Sequence, residues 1–173
     1  MLLRLSDLLL FLCCVRLASL LRKDVLARAK HPAISLTLDS TADLLGDESE
    51  IHSALSNLVD NAAKYTPAGS CIEIRASQHR FSIVISVLDD GPGIPEADLQ
   101  RVFDKFYRVR ETSDSTRAGT GLGLAICRGF VEAMDGRIRV QNRSDSPGIE
   151  FIIEFSPEII AESPALNGNS ETP

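Results

Sequence analysis

Two asparagines, a lysine and a tyrosine lie close together in one stretch of the chain. Asn57, Asn61 and Tyr65 are spaced four residues apart, so they would share one face of a helix, with Lys64 beside them. An amide oxygen is a hard, neutral ligand that suits Mg²⁺, and a lysine supplies positive charge for phosphate oxygens. The tyrosine ring could lie against a base or a sugar. Taken alone, this pattern is more typical of a helix with two solvated asparagines.

A second segment, Asp89-Asp-Gly91-Pro-Gly93, follows a run rich in β-branched residues. A carboxylate at the end of a strand can accept a hydrogen bond from an exocyclic amine, such as that of adenine. Glycines let the backbone approach a ligand because no Cβ stands in the way. Asp-Gly-Pro-Gly is also an ordinary turn sequence, so this segment too gains meaning only from its context.

A third segment, Gly119-Thr-Gly-Leu-Gly-Leu124, comes directly before a helical pattern at 122–134. Glycines at the start of a helix expose free N–H groups at the positive end of the helix dipole, which is typical of an anion site. The spacing fits neither a Walker loop nor a dinucleotide fingerprint. In this order, the three segments predict a pocket for a nucleoside triphosphate and its Mg²⁺ ion.

The hydrophobic patterns predict the elements that would position these segments. The helix that carries Asn61 has an apolar face formed by Ile51, Ala54, Leu55, Leu58, Val59 and Ala62, and Asp47 could cap its start. The predicted elements are a helical segment 2–30, a strand 34–39, a helix from Asp47 to about residue 65, strands 71–76 and 81–88, short helices near 96–105, a helix 122–134, and strands 137–141 and 149–155.

This order of elements predicts an α/β (α+β) two-layer sandwich. A mixed, largely antiparallel sheet would be covered on one face by helices. We expect the strands 71–76 and 81–88 to be antiparallel neighbours with their turn around Gln78-His79. From residue 158 onward the chain is polar and offers no core residues, so we expect this tail to be disordered.

Composition and charge exclude several classes of function. The chain has 173 residues and a net charge of −6, which does not favour a nucleic-acid partner. It lacks tryptophan and has only 5% aromatic residues, which argues against a platform for stacking bases. Its cysteines show no metal-ligand spacing and are interpreted as reduced thiols of a cytoplasmic protein: Cys13, Cys14, Cys71 and Cys127.

The first 21 residues are rich in leucine, but charged residues interrupt them. The longest uncharged stretch, 8–15, is too short to cross a bilayer, so we predict no membrane span in this chain. Leucines recur at three- and four-residue intervals, which indicates a helix packed against a partner helix. A homodimer could therefore form through residues 2–21.

Four ordered motifs within about residues 34–155 resemble the ATP-binding catalytic domain of sensor histidine kinases. This domain belongs to the superfamily that includes gyrase, the Hsp90 chaperones and the mismatch-repair ATPases. Residues 56–67 resemble the family's N box, 89–93 its first glycine box, 103–108 its phenylalanine box and 119–124 its second glycine box. The resemblance implies the Bergerat ATP-binding fold for 31–157, after a segment 1–30 similar to the end of a dimerisation helix and before the tail 158–173.

The resemblance also implies roles for individual residues. Asn61 would bind Mg²⁺, Asp89 would bind the adenine amine, and Lys105 and Arg108 would approach the phosphates from a mobile lid. The second glycine box would act as the hinge of that lid and donate N–H groups to the phosphates. The implied catalytic residues are Asn57, Lys64 and Arg108. The implied nucleotide-binding residues are Asn61, Tyr65, Asp89, Gly91, Gly93, Ile94, Lys105, Phe106, Gly119, Thr120, Gly121, Leu122, Gly123 and Leu124.

Two departures from the family pattern bear on the reaction. The superfamily's ATPases carry a glutamate, the general base for water, where this chain has Asn57, which cannot take up a proton at neutral pH. This favours the kinase branch over rapid ATP hydrolysis. Met134-Asp135-Gly136 replaces a frequent His-Gly-Gly, and we expect it to alter packing without loss of nucleotide binding.

The chain contains no histidine in the context of a phosphoacceptor. His31, His52 and His79 all lack the adjacent acid and the Leu-Arg-x-Pro sequence that follow it in the family. The expected partners are therefore a histidine-bearing dimerisation domain, in trans or from a missing segment, and the receiver domain of a response regulator. The alternatives are a stand-alone serine kinase of the anti-sigma-factor type, against which the phenylalanine box counts, and a non-catalytic module that binds ATP or dimerises.

Overall fold

The computed structural model describes residues 14–15, 34–39, 43–45, 48–67, 70–79, 82–109, 119–156 and 160–161. Two short 3-10 helices, Glu96–Asp98 and Arg101–Phe103, lie in the long connection after the central strands. The other elements are β1 Cys14–Val15, β2 Ile34–Asp39, β3 Asp43–Leu45, α1 Glu48–Tyr65, β4 Ile72–His79, β5 Ser82–Asp89, α2 Gly123–Ala133, β6 Arg137–Asn142, β7 Ile149–Phe155 and β8 Ile160–Ala161.

Five strands form a mixed sheet in the order β2-β4-β5-β7-β6. The pair β2 and β4 is parallel, and the remaining neighbours are antiparallel. Helix α1 lies in the crossover between the two parallel strands, as such a connection requires. The mixed, largely antiparallel sheet with two helices confirms the predicted α/β two-layer fold.

The core lies between the helices and one face of the sheet. Along β4, the buried Ile72, Ile74 and Ala76 alternate with the more exposed Glu73 and Arg75. The predicted apolar face of α1, from Ile51 to Ala62, is buried in the same cluster. Burial of that face fixes the rotation of α1 about its axis, so its asparagines are held on a different side of the helix.

The structure corrects several predicted element boundaries. Cys14–Val15 is a strand paired with β3, so the helical prediction for 2–30 is wrong at these two residues. Ile160–Ala161 pairs with β3, so the prediction of a disordered tail is wrong there as well. His79 pairs with Ser82 within the β4–β5 ladder, so Gln78 and His79 are strand residues and not the turn.

The rest of residues 1–30 and 158–173 lies outside the described residues, and with it most of the leucine-rich helix predicted to form a homodimer through residues 2–21. Strand β3 was not predicted because three residues are too few for a periodic pattern to appear. Among the described residues, no helix is long and apolar enough to cross a membrane.

Helix α2 ends in a Schellman motif that includes Met134, Asp135 and Gly136. The Gly136 N–H donates to the Val131 carbonyl at 2.9 Å, and the Asp135 N–H donates to the Glu132 carbonyl at 3.1 Å. Asp135 has φ of 52°, the left-handed conformation that glycine adopts most easily at this position. Asp135 occupies a position where the family frequently has glycine. The backbone at the end of α2 is therefore mildly strained.

We expect Asp135→Gly to raise the free energy of unfolding by about 0.5 kcal/mol, because relief of the left-handed strain exceeds the added entropy of the unfolded chain. Urea denaturation measures this change. Ala133→Gly, two residues earlier at an exposed helical position, is the matched control and should lower stability by about 1 kcal/mol. Equal destabilisation by both variants would contradict the strain at Asp135.

Candidate functional site

A cavity of about 310 Å³ opens between α1, the end of β5, the loop after it and the start of α2. Its walls combine carboxylates, amides and cationic side chains with aliphatic groups. The residues that line it are Asn57, Asp60, Asn61, Lys64, Tyr65, Asp89, Pro92, Gly93, Ile94, Val102, Tyr107, Arg108, Val109, Gly119, Thr120, Gly121, Gly123, Leu124 and Ile149.

Helix α1 contributes the polar wall of the cavity. Asn57, Asn61, Lys64 and Tyr65 are all half-buried there, on the side of the helix away from its core face. The Asn57 amide donates to the Ser53 carbonyl at 2.9 Å, so its NH₂ group is engaged and its oxygen is directed elsewhere. The Lys64 ammonium lies 5.4 Å from the centre of the Tyr65 ring, close enough for a cation–π contact.

The start of α2 lies directly opposite these side chains. A Cβ on Gly123 would lie 3.1 Å from the Asn57 amide oxygen, and a Cβ on Gly119 would overlap the Lys64 ammonium nitrogen. The backbone of the second glycine box, residues 119–124, therefore lies next to an amide oxygen and an ammonium group. Such a combination at a helix N-terminus suits an anionic ligand.

Asp89, the last residue of β5, lines the cavity near the C-terminal end of α1. Only 3% of Asp89 is exposed. Its Oδ1 accepts a hydrogen bond from the Gly91 N–H at 2.8 Å. Burial raises the pKa of this carboxyl above its usual value, and the backbone hydrogen bonds from Gly91 and Ile149 partly offset that shift. A buried acceptor beside aliphatic walls suits a flat ligand that carries a hydrogen-bond donor.

The phenylalanine-box residues form the third wall. The Phe106 N–H donates to the Gly121 carbonyl at 2.9 Å, and this hydrogen bond joins the phenylalanine box to the second glycine box. The Tyr107 hydroxyl donates to Asp98 Oδ1 at 2.5 Å, and this hydrogen bond raises the pKa of Tyr107. The Arg101 guanidinium lies 4.2 Å from the centre of the Tyr107 ring. Tyr107 is therefore anchored on both sides, next to Arg108 at the cavity.

The structure brings most of the sequence-predicted site residues together at this cavity. Four of them do not line it. Gly91 is buried behind Asp89, and Leu122 precedes the first residue of α2. Lys105 and Phe106 are exposed, Phe106 to 72%. Residues 110–118, which connect the phenylalanine box to the glycine segment, lie outside the described residues.

Several lining residues were not found from the sequence. Tyr107 and Val109 flank the predicted residue Arg108, and Asp60 precedes Asn61 on the exposed side of α1. The only feature of the sequence that could have indicated these three residues is that they lie next to a predicted site residue. Val102 and Ile149 come from other elements and resemble any core residue in the sequence. In the described part of the chain, His, Cys, Asp and Glu side chains form no cluster of three or more that could hold a metal.

The lining of the cavity therefore has two chemically different parts. One part is the buried Asp89 carboxylate, which accepts a hydrogen bond, together with the aliphatic Ile94 and Ile149. The other part comprises amide side chains, the Lys64 ammonium, the exposed Arg108 and the backbone of the second glycine box. This arrangement fits an elongated ligand with a flat, amine-bearing group at one end and a chain of anionic groups at the other.

The sequence also matches the model of a known protein family. Residues 46–159 match the model of the family described as histidine kinase-, DNA gyrase B-, and HSP90-like ATPase. The sensor protein KdpD of Clostridium acetobutylicum is 40% identical over 103 residues, which cover 60% of this chain and 11% of KdpD. The chain thus spans about a tenth of that relative's length.

The chain is also similar to histidine kinases of known structure. The mycobacterial sensor histidine kinase MprB matches with a TM-score of 0.72 and 27% identity, over 83% of this chain and 95% of that one. Full-length ShkA, solved in complex with AMPPNP, matches with a TM-score of 0.70 and 29% identity. The match covers 87% of this chain and 31% of ShkA.

Proposed function

Because the chain belongs to the family of histidine kinase-, DNA gyrase B- and HSP90-like ATPases, we propose that it is the ATP-binding catalytic domain of a sensor histidine kinase. It transfers the γ-phosphoryl group of Mg-ATP to a histidine on a dimerisation domain, from which the group passes to the receiver domain of a response regulator. The observation that carries the proposal is a single cavity lined by the buried Asp89 carboxylate together with Asn61, Lys64 and glycines of the second glycine box. We assign this reaction to the cytoplasm, where ATP and response regulators are found.

Adenine binds at the Asp89 end. The carboxylate accepts a hydrogen bond from the exocyclic amine, and the ring lies against aliphatic side chains such as Ile94 and Ile149. Asp89 is held for this task because its Oδ1 is fixed by the Gly91 N–H. A buried acceptor left without a donor is costly, so the site discriminates against bases that lack this amine.

The triphosphate binds between α1 and the start of α2. Lys64 and Arg108 neutralise phosphate charge, and the N–H groups from Gly119 to Gly123 bind phosphate oxygens. The amide oxygen of Asn61 fits Mg²⁺, which takes few protein ligands and completes its shell with water and phosphate oxygens. When bound, Mg²⁺ neutralises charge on the phosphates and fixes their geometry.

Asn57 directs the reaction away from water. Its NH₂ group donates to the Ser53 carbonyl, and an amide cannot take a proton from an attacking water at neutral pH. The cavity therefore positions ATP and stabilises its charge while the attacking nitrogen comes from another domain. Phosphoryl transfer depends mainly on positioning and charge neutralisation, which these residues provide.

We expect Asp89→Asn to weaken ATP binding about tenfold while leaving the weaker GTP binding nearly unchanged. Asparagine keeps an oxygen for the Gly91 N–H, so the loop should persist, but it removes the anionic acceptor for the adenine amine. Calorimetric titration with both nucleotides measures the two affinities. An equal loss for ATP and GTP would show that Asp89 does not recognise the base.

Transfer of phosphate in trans tests the proposed function. The purified chain is mixed with γ-labelled ATP, Mg²⁺ and separately expressed histidine-bearing dimerisation domains from several related kinases. The control uses the same domains with the acceptor histidine replaced by glutamine. We expect label on an unsubstituted domain and none on the control. ATP binding with no transfer to any domain would favour a non-catalytic module, and label on serine in both the unsubstituted and the glutamine-substituted domains would favour the serine-kinase alternative.

A further inference from the structure

Asn142, the last residue of β6, makes two hydrogen bonds to the backbone of the loop after β5. The Ile94 N–H donates to Asn142 Oδ1 at 2.8 Å, and Asn142 Nδ2 donates to the Ile94 carbonyl at 2.7 Å. The two residues are 48 positions apart in sequence. The side-chain amide thus binds both polar groups of one loop residue, as a neighbouring strand would do.

The position of Asn142 explains the shape of this loop. A Cβ on Gly93 would lie 3.1 Å from Asn142 Oδ1, and Gly93 has φ of +83°, which L-residues rarely adopt. The loop therefore approaches the amide closely and turns sharply beside it. Gly93 and Ile94 both line the cavity, so Asn142 holds a wall of the nucleotide site from outside that site.

Arg143 extends the same support to the residues just before the loop. Its guanidinium donates to the Asp90 carboxylate at 2.8 Å and to the Asp89 carbonyl at 3.4 Å. Asp145 holds the guanidinium from the other side, and this hydrogen bond lowers the pKa of Asp145 to about 2. Arg143 therefore holds the end of β5 through contacts with Asp89 and Asp90 that do not involve Asn142.

We propose that Asn142 is a positioning residue for nucleotide binding, because its amide fixes the Gly93-Ile94 wall against which adenine binds. This inference rests on the proposed function. Without the two hydrogen bonds, the loop between Asp90 and the first 3-10 helix would have to be ordered by the nucleotide itself. Ordering a loop during binding lowers affinity, and a loop fixed in advance avoids that cost.

Asn142→Asp provides the test, since it keeps the size and the acceptor oxygen but removes the donor to the Ile94 carbonyl. Asn142→Ala removes both bonds without adding charge near Glu96, whose Oε1 lies 3.4 Å from Asn142 Nδ2. The matched control is Gln141→Ala, a truncation at the neighbouring exposed residue, whose amide donates to Glu150 Oε2 at 2.9 Å and not to the loop. Each variant of the 173-residue chain is titrated calorimetrically with Mg-ATP and Mg-ADP, and its melting temperature is recorded.

We expect both Asn142 variants to bind ATP and ADP about tenfold more weakly, with equal losses for the two nucleotides and binding stoichiometry near one. The losses should be equal because Asn142 acts at the adenine end and not at the γ-phosphate. The affinity of Gln141→Ala should stay within about twofold of that of the unsubstituted chain. A fitted dissociation constant reports only folded molecules, so a purely structural role would lower the melting temperature and leave this constant unchanged.

A lower melting temperature with an unchanged dissociation constant would therefore overturn the inference. A loss of affinity restricted to ATP would also overturn it. If the unsubstituted chain binds neither nucleotide, the proposed function itself fails and the inference falls with it. Binding by the unsubstituted chain together with unchanged binding by both Asn142 variants removes only the inference.

Discussion

Asn61→Ala is expected to weaken ATP binding about 100-fold in the presence of Mg²⁺ and to have little effect in the presence of EDTA. Asn61 is half-buried in the cavity wall, and its amide oxygen is the donor that suits the metal. In the proposed site, Asn61 is the residue of α1 that binds the metal, so loss of its oxygen removes the contact between α1 and Mg²⁺. A 100-fold loss corresponds to about 2.7 kcal/mol of binding free energy.

Two comparisons separate this effect from damage to the fold. Gln78→Ala removes an amide at an exposed position of β4 and should change neither affinity nor melting temperature. Asn61→Asp keeps an oxygen ligand and should keep the fold while altering the dependence of ATP binding on Mg²⁺ concentration. Equal weakening of Asn61→Ala with Mg²⁺ and with EDTA would remove Asn61 from the metal site.

Gly148→Ala is expected to cost at least about 3 kcal/mol of folding free energy, or about 10 °C in melting temperature. Gly148 has φ of +125°, and a Cβ there would overlap the Asp89 carbonyl oxygen and lie 2.8 Å from its carbon. The turn before β7 and the end of β5 would have to separate. Asp89 would move with them, so the remaining folded protein should also bind ATP more weakly.

Gly129→Ala is the control for Gly148→Ala. Gly129 lies on the exposed side of α2, and a Cβ there meets nothing within 4 Å. Alanine should therefore raise the free energy of unfolding by about 1 kcal/mol, since glycine is a poor helix former. Thermal melting of both variants compares them directly. Gly148→Ala melting at the temperature of the unsubstituted chain would show that the close packing against Asp89 does not exist in solution.

The helix with Asn57 and Asn61 could be predicted because its polar and apolar faces are both complete in the sequence. Ile51 to Ala62 supply the buried face, so the periodicity alone fixes which side of the helix is left for a ligand. Strand β4 was predicted for the same reason, and its burial alternates over Ile72 to Ala76, whereas β5 is buried continuously from Ile85 to Asp89. The family motifs then identified the cavity that these elements enclose.

Contacts distant in sequence could not be predicted in this way. Asn142 reads as an ordinary polar residue at the end of a strand, and its partner Ile94 is 48 residues away. Gly148 reads as a turn glycine, although its lack of a Cβ matters because Asp89 lies against it. The strands β1, β3 and β8 have two or three residues each, too few for any period to show.

The central claim is that the cavity between α1 and α2 binds ATP through Asp89 at one end and Asn61 at the other. Calorimetric titration of the unsubstituted chain with Mg-ATP and with Mg-GTP tests it most directly. The account predicts one binding site per chain and an affinity for ATP at least about tenfold higher than for GTP. Absence of saturable ATP binding, or equal affinity for the two nucleotides, would contradict it.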